Sequence, residues 1–105
     1  RAWTVQEERP DGSTFSIDET VKYLPDSLMR MWVKYSFPSD SSSEFALVTA
    51  LFEVDCANDM QRPIHIDLVA QDGEKLSLDT PYTEPPYDWE PIDPENEEVF
   101  TRHCK

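Results

Sequence analysis

The residues of this chain that could do chemistry by type are two cysteines, Cys56 and Cys104, and two histidines. The cysteine spacing forms no CxxC motif and no Cys/His ligand pattern, so neither a redox pair nor a zinc site is indicated. Cys56 closes a strand-like run and Cys104 lies on a helix-like segment, which puts both on candidate core faces. We predict a disulfide between them, and two reduced cytosolic thiols are the alternative.

Both histidines have an ordinary structural interpretation. His65 alternates with the apolar residues of 64–68 and is expected to be exposed on a strand, whereas His103 can pair with the C-terminal end of a helix. Haem ligation by a histidine or a methionine is chemically possible, but no CxxCH motif indicates covalent attachment. We expect no obligatory cofactor, with noncovalently bound haem as the candidate to test.

Carboxylates are abundant, but they form no recognisable site. The acidic residues of 88–98 lack EF-hand spacing and any Asp-x-Asp-x-Asp ladder, which favours a solvated helix start over a calcium site, and we expect no metal. No pair stands out for acid–base catalysis. The chain has two glycines and no Gly-x-Ser-x-Gly motif. We predict no catalytic residues and a protein that is not an enzyme, an exported hydrolase being the weakest alternative.

Composition argues against several classes of partner. The chain has 9 basic and 22 acidic residues, a formal net charge of −13, which disfavours nucleic acid or anionic lipid as the main partner. A hydrophobic content of 38% is too high for a disordered acidic tail. No apolar run reaches the roughly 18 residues that indicate a transmembrane helix. Because the chain starts at Arg1 without a Met, we expect a mature or trimmed form.

The elements that position the cysteines and histidines are mostly predicted to be strands. Apolar residues alternate along 3–5, 15–17, 28–37, 45–56, 64–69 and 76–78, separated by turn signals such as Pro10-Asp11-Gly12 and Asp72-Gly73. The order is meander-like, which favours an antiparallel sheet. By the period of two, one face of the third strand carries Met29, Met31, Val33, Tyr35 and Phe37, and one face of the central strand carries Ala46, Val48, Ala50, Phe52, Val54 and Cys56.

The C-terminal quarter is rich in proline and lacks the strand-like alternation of the rest of the chain. Its prolines cannot sit inside a sheet, so 80–92 is predicted to be an ordered, irregular strap. Asp93 then fits a helix N-cap, Pro94 fits the first turn, and Phe100 and Cys104 share a helix face. The predicted fold is α+β over a single domain, 1–105. It consists of one antiparallel sheet of about six strands and a C-terminal helix, packed on one face and tethered by Cys56–Cys104.

Aromatic residues supply the candidate partner-binding positions, which are Tyr82, Tyr87 and Trp32. Tyr82 and Tyr87 are interleaved with prolines and could form a rigid exposed strip, although packing on Trp89 is equally compatible with the pattern. Trp89 itself is expected to cap the core under the strap. Trp32 shares a strand face with two basic residues, so it either belongs to a partner surface or lies beneath the helix.

Several short motifs follow one another along nearly the whole chain. They are Trp3, then Gly12 with Phe15, Ile17 and Asp18, then Met31-Trp32-Val33, then Phe52-Glu53-Val54-Asp55-Cys56, then Trp89-Glu90-Pro91-Ile92-Asp93-Pro94, and finally Cys104. In these motifs the chain resembles the surface-adhesin protein E family of Gram-negative bacteria. The resemblance implies an antiparallel sheet whose concave side carries a disulfide-bonded C-terminal helix. It also implies export to the periplasm or the outer-membrane surface.

The function expected from the resemblance is binding. The named member of that family is a surface protein that binds host matrix components and haem. We therefore expect a noncatalytic exported envelope or surface protein that binds a protein partner of unknown identity. A homodimer formed through exposed strand edges is a further candidate state. The alternative is a periplasmic protein that holds a small ligand or haem on the concave face beside the helix.

Overall fold

The computed structural model describes residues 2–79 and 89–104. These residues form an antiparallel sheet and a C-terminal helix, which confirms the predicted α+β class. The elements are β1 (Trp3–Glu8), β2 (Thr14–Asp18), β3 (Lys22–Leu24), β4 (Leu28–Ser36), β5 (Phe45–Asp55), β6 (Met60–Ala70), β7 (Lys75–Asp79), β8 (Glu90–Pro91) and α1 (Pro94–His103).

The sheet has eight strands within the described ranges, whereas about six were predicted. Six of them run in the order β1-β2-β4-β5-β6-β7, while β3 pairs with β4 and β8 pairs with β6. The two additional strands are β3, whose three residues are too few to show an alternating pattern, and β8. Of the predicted irregular strap, 80–92, residues 80–88 lie outside the described part of the chain. The prediction is wrong at β8, where Pro91 lies on an edge strand that tolerates proline.

The core lies between the sheet and α1. Met29, Met31 and Val33 of β4 are fully buried, and α1 contributes Val99 and Phe100 to the same cluster. The alternating pattern of β4 is therefore confirmed, because the apolar residues that share one face are those that meet the helix. The intervening residues of β4 lie on the opposite face of the sheet.

A bulge in β6 decides which of its residues share a face. Leu51 pairs with His65 and Phe52 pairs with Pro63, so Ile64 is an extra residue in the ladder. The simple alternation predicted for 64–69 therefore does not extend back to the start of the strand. Because of the bulge, Arg62 and His65 lie on the same face although they are three residues apart.

Covalent and aromatic contacts hold the C-terminal end of α1 to the sheet. The predicted disulfide between Cys56 and Cys104 is present, with the two Cα atoms 5.8 Å apart. The rings of Phe52 and Phe100 meet with their centroids 5.6 Å apart. The Tyr23 hydroxyl donates to the main-chain carbonyl of His103 at 2.7 Å. Within the described residues, no helix is long and apolar enough to cross a membrane.

A buried polar residue, Gln61, holds the other end of α1. Asp93 is the N-cap residue, as predicted, but its side chain does not cap the helix. The Asp93 carboxylate instead accepts a hydrogen bond from the Gln61 side-chain amide at 3.1 Å, and the Asp93 backbone N–H donates to the Gln61 Oε1 at 3.3 Å. Asn96, which is also fully buried, accepts a 2.7 Å hydrogen bond from the Tyr35 hydroxyl. This network fixes where the helix starts on the sheet.

Candidate functional site

The sheet face opposite α1 gathers the tryptophans and several of the cations of the chain. Strand alternation and register place there the side chains of β4 that point away from the buried methionines, together with their cross-strand neighbours. We call this surface the basic-aromatic face and define it by Trp3, Lys22, Arg30, Trp32, Lys34, Glu53, Arg62, His65 and Trp89. It includes all three tryptophans and four of the nine Lys and Arg residues.

A buried carboxylate between two guanidiniums forms the centre of this face. Glu53, only 3% exposed, accepts a 3.1 Å hydrogen bond from the Nε of Arg30. It also accepts hydrogen bonds of 3.1 and 2.7 Å from the Nε and Nη2 of Arg62. The two arginine side chains are 38% and 27% exposed, whereas the carboxylate between them is buried. The cluster has a net charge of +1.

Two of the tryptophans stack against cations. The Nζ of Lys34 lies 4.7 Å from the ring centroid of Trp3, and the guanidinium carbon of Arg62 lies 4.3 Å from that of Trp89. Such contacts contribute about 0.5–1 kcal/mol each when exposed and orient both groups. Trp89 therefore lies against Arg62, and the prediction that it caps the core is wrong. The strap under which it was expected to lie falls outside the described residues.

The third tryptophan, Trp32, lies between the other two along the sheet. Its ring meets that of His65 edge-on, with the centroids 5.6 Å apart, and the Nε2 of His65 lies 3.0 Å from a carboxylate oxygen of Asp67. The alternative that Trp32 lies beneath the helix is wrong, because it points away from the face that α1 covers. Its assignment to a partner surface stays a prediction.

The remaining predicted residues lie elsewhere. Tyr82 and Tyr87, the other two candidate partner-binding positions, fall outside the described residues. Cys56 and Cys104 are joined as a structural disulfide. The ring Nδ1 of His103 lies 2.9 Å from the carbonyl oxygen of Val99, so this histidine pairs with the C-terminal end of the helix, as predicted.

The alternative function, a small-ligand or haem site, finds less support in the described surface. A surface depression of about 270 Å³ lies at the ends of β5, β6 and β7, and its lining residues are Phe45, Leu68, Ala70, Glu74, Lys75 and Leu76. Neither histidine is among these residues, so the depression offers haem no imidazole ligand. In the part of the chain that the structure describes, no three His, Cys, Asp or Glu side chains are grouped as metal ligands require.

Sequence reasoning missed most of the basic-aromatic face. It identified Trp32 with its basic neighbours but not Glu53, Arg62 or the pairing of Trp3 with Lys34. The alternation of β5 already puts Glu53 on the side away from the core. Assigning Arg62 to the same side requires the bulge at Ile64, for which the residue pattern gives no direct signal beyond Pro63.

Comparisons with known proteins assign no family to the chain. No protein-family model, no curated protein and no solved structure matches it.

Proposed function

We propose that this protein is a noncatalytic, exported binding protein of a bacterial envelope or surface, and that the basic-aromatic face is where it contacts a protein partner. One observation carries the proposal. Three tryptophans and four cations lie on one face of a chain whose net charge is −13. The rest of the molecule is correspondingly acidic, so this face differs in chemistry from its surroundings.

The residue types of the face suit protein recognition. Tryptophan and arginine are the residues most enriched among those that dominate the energy of protein interfaces. On this face they belong mainly to β1, β4 and β6, and cation–aromatic contacts hold Trp3 and Trp89. A surface whose side chains are already ordered loses little conformational entropy when a partner binds.

The disulfide supports the exported location in the proposal. Cystine persists in the periplasm, at cell surfaces and in secreted proteins, and it is rare where thiols are kept reduced. The sheet, helix and cystine framework also agrees with the expected resemblance to surface-adhesin protein E. Adhesion to a host is not part of the proposal.

The test is a quantitative pull-down from the envelope fraction of the producing cell. The immobilised wild type is compared with a Trp3→Ala/Lys34→Ala variant and with a matched control, Glu97→Ala, on the exposed side of α1. We expect a protein identified by mass spectrometry to be retained by the wild type and the control and lost from the double variant. Equal retention by all three, or none by any, would rule out this face as the binding surface.

A further inference from the structure

We infer that the basic-aromatic face recognises an acidic segment of its protein partner, and that Arg30 and Arg62 together hold a carboxylate of that segment. The inference rests on the proposed function and adds the chemistry of the partner. It concerns the two guanidinium heads around Glu53 and the lysines beside them.

Both arginines have N–H donors that Glu53 does not use and that could bind a ligand. A guanidinium has five N–H donors. Arg30 uses its Nε for Glu53, and its two terminal amino groups make no hydrogen bond or ion pair within the described part of the chain. Arg62 uses Nε and Nη2 for the same carboxylate, which leaves Nη1. The free amino groups of Arg30 are the pair that binds a carboxylate in a fork-like, two-bond arrangement.

Glu53 orients both heads before any ligand arrives. Its carboxylate is buried, and each of its two oxygens accepts from a different arginine. The Trp89 ring also covers Arg62 at 4.3 Å. One carboxylate neutralises the charge of one arginine only. The second arginine, whose side chain is also partly exposed, keeps a positive charge for an incoming anion.

The neighbouring charges favour the same kind of ligand. Lys22 is the cross-strand partner of Arg30, and Lys34 lies farther along β4 on the same face. Glu53 and Asp18, two acidic residues of this face, are buried at 3% and 8% exposure, and Asp55, which register puts on the same face, accepts hydrogen bonds from the backbone of Ala57 and Asn58. Two further acidic residues, Glu8 and Asp67, lie farther away on β1 and β6. Around Arg30, the cations Lys22, Arg30 and Arg62 outnumber Glu53 and Asp55. An acidic segment would be repelled by the rest of this chain, which would direct it to this face.

The experiment measures binding of fluorescein-labelled hexaglutamate to the full chain by fluorescence anisotropy at low and at physiological ionic strength. Hexaglutamine and hexalysine are the peptide controls. We expect hexaglutamate to bind with an affinity that falls as salt is added, and the control peptides not to bind. Arg30→Lys keeps a cation beside Glu53 but removes the fork, so it should weaken binding at least about fivefold. Arg102→Lys, where the arginine lies on α1 and contacts Gln6, is the matched control and should bind as the wild type does.

Three results would overturn the inference. They are no binding of hexaglutamate, equal binding by Arg30→Lys and the wild type, and tighter binding of an oligonucleotide or sulfated dextran through the same residues. Lys34→Gln provides a second variant that does not touch Glu53, and it should weaken binding about twofold because it removes one nearby charge. If hexaglutamate fails while the envelope partner still requires Trp3 and Lys34, the proposed function stands and only the acidic partner chemistry is wrong.

Discussion

Breaking the Cys56–Cys104 disulfide should remove a large part of the stability of this fold. The two cysteines are 48 residues apart in sequence, so the bond closes a long loop. The loop-closure entropy of the unfolded chain then predicts a loss of about 4 kcal/mol. Typical small domains have only about 5–15 kcal/mol in total. A separate local effect should be seen at α1, which should fray first, because a ten-residue helix is marginal without its tether.

The assay is urea unfolding, followed by tryptophan fluorescence and circular dichroism, of the oxidised protein and of Cys56→Ala/Cys104→Ala. The variant should have a free energy of unfolding lower by about 4 kcal/mol and a larger m-value, because its unfolded state is less compact. The wild type measured in reductant is the control that keeps both sulfur atoms. A loss below about 1 kcal/mol in both samples would refute the loop-entropy reasoning.

Three further predictions concern the network and the turns that position α1. Gln61→Ala should lower the free energy of unfolding by about 2–3 kcal/mol in urea titrations, because buried Asn96 and the helix start at Asp93 lose their polar partner; an unchanged value would remove Gln61 from the anchoring role. Burial raises the pKa of the Tyr35 phenol, and Glu95 adds to the rise. The unfolded state therefore ionises first, and stability should fall as pH rises above the ordinary value of 10.0. At neutral pH the melting temperature of Tyr35→Phe should be lower than that of the wild type, because the variant lacks the hydrogen bond to Asn96. Above pH 10.0 its melting temperature should fall less steeply with pH than that of the wild type. An equally steep fall would show that Tyr35 does not cause the alkaline loss of stability. Ser27→Gly should raise stability by about 0.5–1 kcal/mol, because Ser27 has a φ of 62° that glycine adopts without strain; a lower melting temperature would count against that reasoning.

The features that the sequence could predict are those that depend on residues close together in the chain. The alternation along β4 put Met29, Met31 and Val33 on one face, because a strand exposes successive side chains to opposite faces, and this is the face that the structure buries. The position of Pro94 in the first turn gave the start of α1. The two cysteines fell on faces that meet, so their pairing could be predicted without knowing the strand order.

The features that the sequence could not predict depend on register. The bulge at Ile64 determines which face Arg62 joins, and it arises from how β6 pairs with β5 rather than from residue type. The Asp93 carboxylate was expected to cap the helix, but Gln61, more than thirty residues away in sequence, binds it instead. Trp89 was expected to cap the core, but its ring lies against the guanidinium of Arg62, a contact that depends on the register of β6.

The most direct test of the central claim, that the basic-aromatic face binds a protein, is site-specific photo-crosslinking in the producing cell. A photoreactive amino acid replaces Lys34 on this face or, as the matched control, Thr101 on the exposed side of α1. We expect one defined adduct, identifiable by mass spectrometry, from position 34 and none from position 101. Adducts from position 101 alone, or from neither position, would show that this face is not the binding surface.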